Sequence, residues 1–405
     1  MDSPYQQLVP KLEIDHRIKG LQAILAQNQL GCALIVQKAD RFYYTGTTQQ
    51  GWLFVPDQED PLFMVFKDLD RAEAESGLEH IIPLMSPRQI PQVLGQKGIR
   101  LKGPMGLELD VMPANTYLMF KQIFENLKIL DISTDIRLQR AVKSEFEINC
   151  IQQACTRADQ VAAMVPSLLT EGMTEVELAG QVEAFARKLG HQGTICMRLW
   201  DNHLFYGHIM CGPGAAVPGA LSSPTAGPGL NPFVGQGPSM NPIVSHQPLL
   251  VDYVFALNGY LSDHARIFAM GDLDDEIYLA QDAMLEIQEA VKSMARPGVV
   301  TGRIYDDMVS MAKDKGYEHG FMGASPPRIR FTGHGLGIEL DEFPFIAKAQ
   351  TLALAAGMVF ALEPKVIIPG KGVAGIENTF LVTDQGLEPL TLYPDSITQI
   401  PLPGA

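Results

Sequence analysis

The chain is short of basic residues, of cysteine and of long apolar runs, and each shortage excludes something. Lys and Arg number 31 against 46 Asp and Glu, a formal net charge of −15. Nucleic acid and anionic membrane are bound by clustered cations, so neither is expected as a main partner. Only five cysteines occur, Cys32, Cys150, Cys155, Cys196 and Cys211. An odd count without C-x-x-C or zinc-finger spacing argues against a disulfide scaffold and fits reduced, mostly buried thiols in a cytoplasmic protein. No run of about eighteen apolar residues appears, so no membrane-spanning helix is expected. The opening MDSPYQQLVPKLEIDHRIKG lacks the apolar stretch of a secretory signal. What remains is an ordinary globular mix, 46% hydrophobic and 19% charged over 405 residues, long enough for two domains with sizeable cores.

The first 140 residues alternate between strand and helix signals. Ile18, Leu21, Ile24 and Leu25 are spaced for a helix over Arg17 to Asn28, and CALIVQ (Cys32 to Gln37) fits a buried strand. WLFVP and LFMVF bracket the acidic turn DQED, a hairpin pattern. MGLELD reads as a further strand and Ala114 to Asn126 as a helix, giving an α/β layer domain that ends near Ser133 to Arg140. A second domain, 141–405, opens on a long helix whose start carries a capping box, Ser144 with Glu147. The turn and helix in EGMTEVELAGQVEAFARKLG follow it. DDEIYLAQDAMLEIQEAVKSMA and RPGVVTGRIYDDMVSMAKDKG then repeat the pattern, which suggests an internal duplication with a pseudo-two-fold core. Between the repeats, Cys211 to Pro242 is rich in Gly, Pro and Ser and is expected to be a long ordered loop that helps form a site.

Acidic residues in apolar surroundings mark that site. Asp252 lies in LLVDYVFAL and Asp263 in GYLSDHARIF, on either side of Asn258-Gly259, a strong hairpin signal. A carboxylate inside a core is costly unless it is paired or binds a metal. A surface hairpin with two solvated acids is the plainer alternative. GMVFALEPKVIIPG puts Glu363 at the end of an apolar strand, and GVAGIENTFLVT puts Glu377 within another. His334 sits in GHGLGIELDEFP, where flanking glycines let the backbone approach something closely. Four carboxylates and one imidazole suit two divalent ions bridged by carboxylates, with Mn, Co, Fe or Zn as candidates.

In that order, Asp252, Asp263, His334, Glu363 and Glu377, the chain resembles the pita-bread metallopeptidases of peptidase family M24: methionine aminopeptidase, prolidase, aminopeptidase P and the related creatinase. RIKGLQAILAQNQLGCALIVQKADRFYYTG resembles the start of the creatinase-type N-terminal domain, and RAVKSEFEINCIQQACTRAD resembles its junction with the catalytic domain. The resemblance covers nearly the whole chain. It implies an α/β creatinase-like domain over 1–140, and over 141–405 an α+β pita-bread domain with pseudo-two-fold duplication. It also implies the five residues as metal ligands, Glu363 as the group that carries a proton from water to the leaving nitrogen, and a homodimer.

Several positions depart from the family pattern. Asp341 stands seven residues after His334, where family peptidases usually carry a second histidine. Gly235 occupies the approximate place of a further family histidine, Gly375 that of an arginine, and Asn378 that of an aspartate. Asp341 is then a base, a partner for a cationic substrate group, or a surface acid. His203 and His208, just before the Gly-rich loop, are candidates to compensate, against the plainer reading as loop or core histidines. His264 is expected on the opposite strand face from Asp263. Arg266 is either a neutralising neighbour of the acids or a surface residue. Tyr43, Tyr44 and Trp52 either pack in the first domain or reach a neighbouring subunit's site.

The leading expectation is a hydrolase acting on a small peptide or peptide-like substrate, of the Xaa-Pro dipeptidase or aminopeptidase type. A non-peptidase on the same fold is the alternative, a creatinase-like C–N hydrolase or a dimethylsulfoniopropionate-lyase-like enzyme. A non-catalytic binding protein ranks last, because such proteins tend to lose ligands and all five are retained.

Overall fold

The computed structural model describes residues 7–198, 206–219, 223–323 and 328–402. They form two compact units, Met1–Arg140 with a return segment at Arg198, and the rest of the chain. In the first unit the helix Lys11–Gln27 buries Ile14, Ile18, Leu21 and Leu25 on one face. It starts six residues before the expected Arg17, immediately after Pro10. Proline fixes its own φ and disfavours helix in the residue before it, which makes it a natural boundary. Six strands form one sheet in the order Ile81–Pro83, Leu62–Val65, Gly51–Pro56, Cys32–Ile35, Met105–Leu107, Ile129–Asp131. Gly51–Pro56 and Leu62–Val65 pair as the expected hairpin, with Phe54 opposite Leu62. Tyr43 and Tyr44 are buried core residues, and the Arg17 guanidinium lies 4.2 Å over the Tyr43 ring. Asp40, also buried, pairs with Arg140 at 2.5 Å and with Arg198 at 2.7 Å.

The second unit runs twice through one plan. Helices Glu145–Leu168 and Glu175–Lys188 precede a sheet of Gly207–Cys211, Leu249–Leu257, Tyr260–Met270 and Thr398–Ile400. Helices Asp275–Met294 and Thr301–Asp314 precede a sheet of Phe331–Leu336, Leu340–Ala347, Val359–Leu362, Asn378–Thr383 and Gly386–Pro389. The Ser144–Glu147 capping box is formed, and Thr174 with Glu177 makes a second. Helices of each half bury their apolar faces on its sheet, so the strands lie between helices and the middle of the unit. Charges carried on strand faces that point away from the helices therefore collect in the middle.

Candidate metal centre

Leu249–Leu257 and Tyr260–Met270 are buried along their whole lengths. Asn258 and Gly259, at φ 51° and 86°, join them in the left-handed conformation a two-residue hairpin needs. The register sets Val254 opposite Asp263 and Ala265 opposite Asp252, so the two aspartates are diagonal neighbours on one face. His208 lies directly across from Asp252 on Gly207–Cys211.

From the second half, His334 stands in Phe331–Leu336 between two glycines. A Cβ on Gly333 would meet the Ala361 carbonyl at 2.5 Å, and one on Gly335 the Phe343 carbonyl at 2.2 Å. The glycines thus let neighbouring strands close on His334 from both sides. Glu363 directly follows Val359–Leu362. Glu377 lies between Gly372–Gly375 and Asn378–Thr383, where the chain passes from a two-stranded ribbon into the five-stranded sheet, and so not inside a strand as expected. Arg266 is buried and fixes this crossing, donating to the Glu377 carbonyl at 2.8 Å and to the Asn378 side chain at 2.8 Å. It is itself buried rather than a surface residue, and it also pairs with Asp395 at 3.1 Å.

His334 Nε2 lies 3.7 Å from Asp263 Oδ2 and 3.9 Å from Glu377 Oε1. Ligand atoms of these three buried residues all fall within 4.8 Å of one another. Asp263 Oδ1 is buried without a hydrogen-bond partner. Burial, then Glu377 and Asp252, push the Asp263 carboxyl well above the usual range. Burial drives Glu377 up to about 8 although Lys365 opposes it. Acids gathered this way favour a nearby cation, and two carboxylates with an imidazole are a donor set that fits a divalent ion. The other ring nitrogen of His334, Nδ1, faces Asp341 Oδ1 at 3.5 Å and the Gly335 carbonyl at 3.3 Å. Burial lowers the His334 pKa, but Asp341, Glu363 and Glu377 outweigh it and raise it. An imidazole held at Nδ1 by acceptors presents Nε2 to a metal, and the Asp341 carboxylate faces this ring.

Asp252 and Glu363 stand apart from that triad, held by a residue that sequence reasoning passed over. The Lys365 ammonium donates to Asp252 Oδ2 at 2.7 Å, to Glu363 Oε2 at 3.0 Å and to Glu377 Oε2 at 2.6 Å. Lys365 is 1% exposed. Burial lowers its pKa, but the three acids more than reverse this and hold it charged, well above the ordinary lysine value. Burial also raises Asp252, which Lys365 and His208 together bring below the ordinary value. A signal was present: Lys365 is a cation two residues after Glu363 in an otherwise apolar stretch, and a charge in such surroundings needs a partner.

His208 is buried beside Asp252, and burial keeps its pKa low and the ring neutral. Its Nε2 lies 3.4 Å from Gln236 Oε1. The Gly-rich loop therefore does reach the site, through Gln236 next to Gly235. His264 is buried, and burial with Arg266 pushes its pKa to about 3, so it remains a neutral core imidazole. His203 lies outside the described residues. Gly375, at φ 147°, pairs with Lys365 across the ribbon. A Cβ added there would sit 2.5 Å from the Pro364 carbonyl and 2.7 Å from Lys365 Cα, so an arginine cannot occupy this place without moving the ribbon.

A family model described as metallopeptidase family M24 matches residues 149–384, and one described as the creatinase/prolidase N-terminal domain matches 17–142. The Xaa-Pro dipeptidase of Pyrococcus furiosus is 25% identical over 377 residues, 93% of this chain and 97% of the relative. The solved Xaa-Pro dipeptidase from Bacillus anthracis superposes with a TM-score of 0.80 at 22% identity, covering 96% of this chain and 100% of that one. The X-Pro aminopeptidase from Thermotoga maritima gives 0.78 at 22% identity, covering 95% and 99%. At such identities the solved structures speak to fold, a creatinase-type N-terminal domain followed by a pita-bread domain.

Proposed function

The chain belongs to metallopeptidase family M24, and on that premise we propose that it hydrolyses Xaa-Pro peptides, as a dipeptidase or an aminopeptidase. The observation that carries the reading is the gathering of Asp263, His334 and Glu377 within 4.8 Å, with Asp252 and Glu363 tied to Glu377 through Lys365. Mn, Co, Fe and Zn all suit this oxygen-rich set with one imidazole. A divalent ion held there supplies Lewis-acid activation of water and of the scissile carbonyl.

The chain's own residues do the rest. Glu363 takes the proton of the attacking water and returns it to the departing amide nitrogen, as the family resemblance implies. Lys365 holds its Oε2, so Oε1 is the oxygen that exchanges the proton. His208, neutral and buried beside Asp252, has a single N–H that faces Gln236 Oε1; released from Gln236, it donates to the carbonyl oxygen as that gains charge. Asp341 acts through His334. The reading includes a cytoplasmic location, which five free cysteines support, and a homodimer, which rests on the family resemblance.

The test is a panel of Xaa-Pro dipeptides and longer Xaa-Pro peptides, each assayed with Mn, Co, Fe or Zn. Release of the N-terminal residue that a chelator stops is expected. Failure on every Xaa-Pro peptide with every metal overturns the reading and favours a non-peptidase C–N hydrolase or a lyase.

A further inference from the structure

We propose that the Lys365 ammonium permanently fills one cation position of the carboxylate cluster, so that the centre takes a single divalent ion, at Asp263, His334 and Glu377. The inference rests on the metal-centre reading above and changes its stoichiometry from two ions to one.

Three observations carry it. First, an ammonium has three donors, and Lys365 directs one to each of three different residues at 2.6–3.0 Å. The oxygens it takes, Asp252 Oδ2, Glu363 Oε2 and Glu377 Oε2, are already engaged where a second ion would compete for them. Such an ion would sit beside a buried ammonium, and both positive charges would lie in a medium that screens poorly. Second, Glu377 divides its two oxygens: Oε2 meets the ammonium, while Oε1 faces His334 Nε2 at 3.9 Å. It therefore bridges a fixed cation and a metal position. Among the described residues the group able to hold an ion is Asp263, His334 and Glu377, without Asp252 or Glu363.

Third, the backbone is built to bring Lys365 there. Lys365 pairs with Gly375 in a two-stranded ribbon. A Cβ at Gly375 would press on Lys365 Cγ at 3.0 Å as well as on its Cα. The glycine thus leaves room for both the strand and the lysine stem.

Metal content decides the matter. Wild-type protein stripped with chelator is titrated with Mn(II) alone and read by calorimetry and by elemental analysis after desalting. One ion per chain is expected, and two per chain in Lys365→Gly, which vacates the position without adding bulk. Lys365→Arg keeps a cation and should stay at one, which controls for loss of packing. Two tightly held ions in wild type, with Xaa-Pro cleavage intact, overturn this inference and leave the peptidase reading standing. A folded Lys365→Gly that still holds one ion also overturns it. If that variant fails to fold, the wild-type and Lys365→Arg counts still decide. Wild type that binds no Mn(II) at millimolar concentration overturns the metal centre itself.

Discussion

Replacing Asp341 by asparagine should loosen the metal centre before it harms the chemistry. Asp341 has φ 62°, in the left-handed region, where asparagine is as well tolerated as aspartate, so the change adds no backbone strain. It removes only the charge that faces His334 Nδ1. Loss of a carboxylate that orients a ligand histidine typically costs 10- to 100-fold in metal affinity. Here the contact is long, 3.5 Å, the Asp341 side chain is 22% exposed, and the Gly335 carbonyl also faces Nδ1. These features place the effect at the low end, about tenfold in Kd or ~1.4 kcal/mol. Calorimetric titration with Mn(II) measures the affinity, and kcat on an Xaa-Pro dipeptide at saturating Mn(II) measures the chemistry. The expected pair of results is a weaker Kd and a kcat restored by excess metal. Unchanged Kd with kcat reduced ~10²-fold or more would refute positioning and make Asp341 a general base.

Two further predictions concern other residues. Glu363→Gln should lower turnover by ~10²-fold or more with a smaller change in metal affinity, because the amide oxygen can still accept from Lys365; turnover near wild type removes Glu363 from proton transfer. His191 is buried, receives the Gly193 amide on Nδ1 at 2.9 Å, and has its pKa pushed by burial to about 4. Its folded pKa lies below the unfolded value near 6.5, so its stability contribution is present above that pH and is lost as pH falls toward 4. Urea melts of wild type should lose roughly 2–3 kcal/mol more than those of His191→Gln between pH 7.5 and pH 4. Equal losses would show that His191 is not the titrating group.

The parts of the site that were legible in the sequence are those where a charge interrupts a strong local pattern. Asp252 and Asp263 could be read because Asn258-Gly259 fixes one turn and each acid breaks an apolar strand. His334, Glu363 and Glu377 were placed by their order, which the family resemblance supplied. The supporting residues were harder to read. Asp341 meets His334 where the pairing of Phe331–Leu336 with Leu340–Ala347 slips in register around Gly335, and a slip leaves no periodic trace. Glu342, beside it, is likewise spent locally, clasping the Ile338 and Glu339 amides and Lys143. Gln236 reaches His208 from an irregular loop, where no periodicity exists to count. Lys365 opens the ribbon strand Lys365–Ile368 after the chain has left the five-stranded sheet at Leu362, so neither strand's alternation places its ammonium beside Glu363.

The position of Lys365 also bears on how the second unit holds together. Asp252 comes from the first half, while His334, Glu363 and Glu377 come from the second. Buried carboxylates from two halves repel unless a cation lies between them. In a centre whose cations are all exchangeable, cohesion across this middle depends on metal supply. Lys365 belongs to the chain, and its contacts with Asp252 on one side and with Glu363 and Glu377 on the other tie the halves together. Arg266 adds a second fixed tie, from Tyr260–Met270 to the Glu377 carbonyl. Chelation should therefore remove the chemistry while leaving the pseudo-two-fold core assembled. Removing the Lys365 charge should make that core's stability depend on added metal, because breaking a buried ion pair on one side leaves the other side's charges uncompensated.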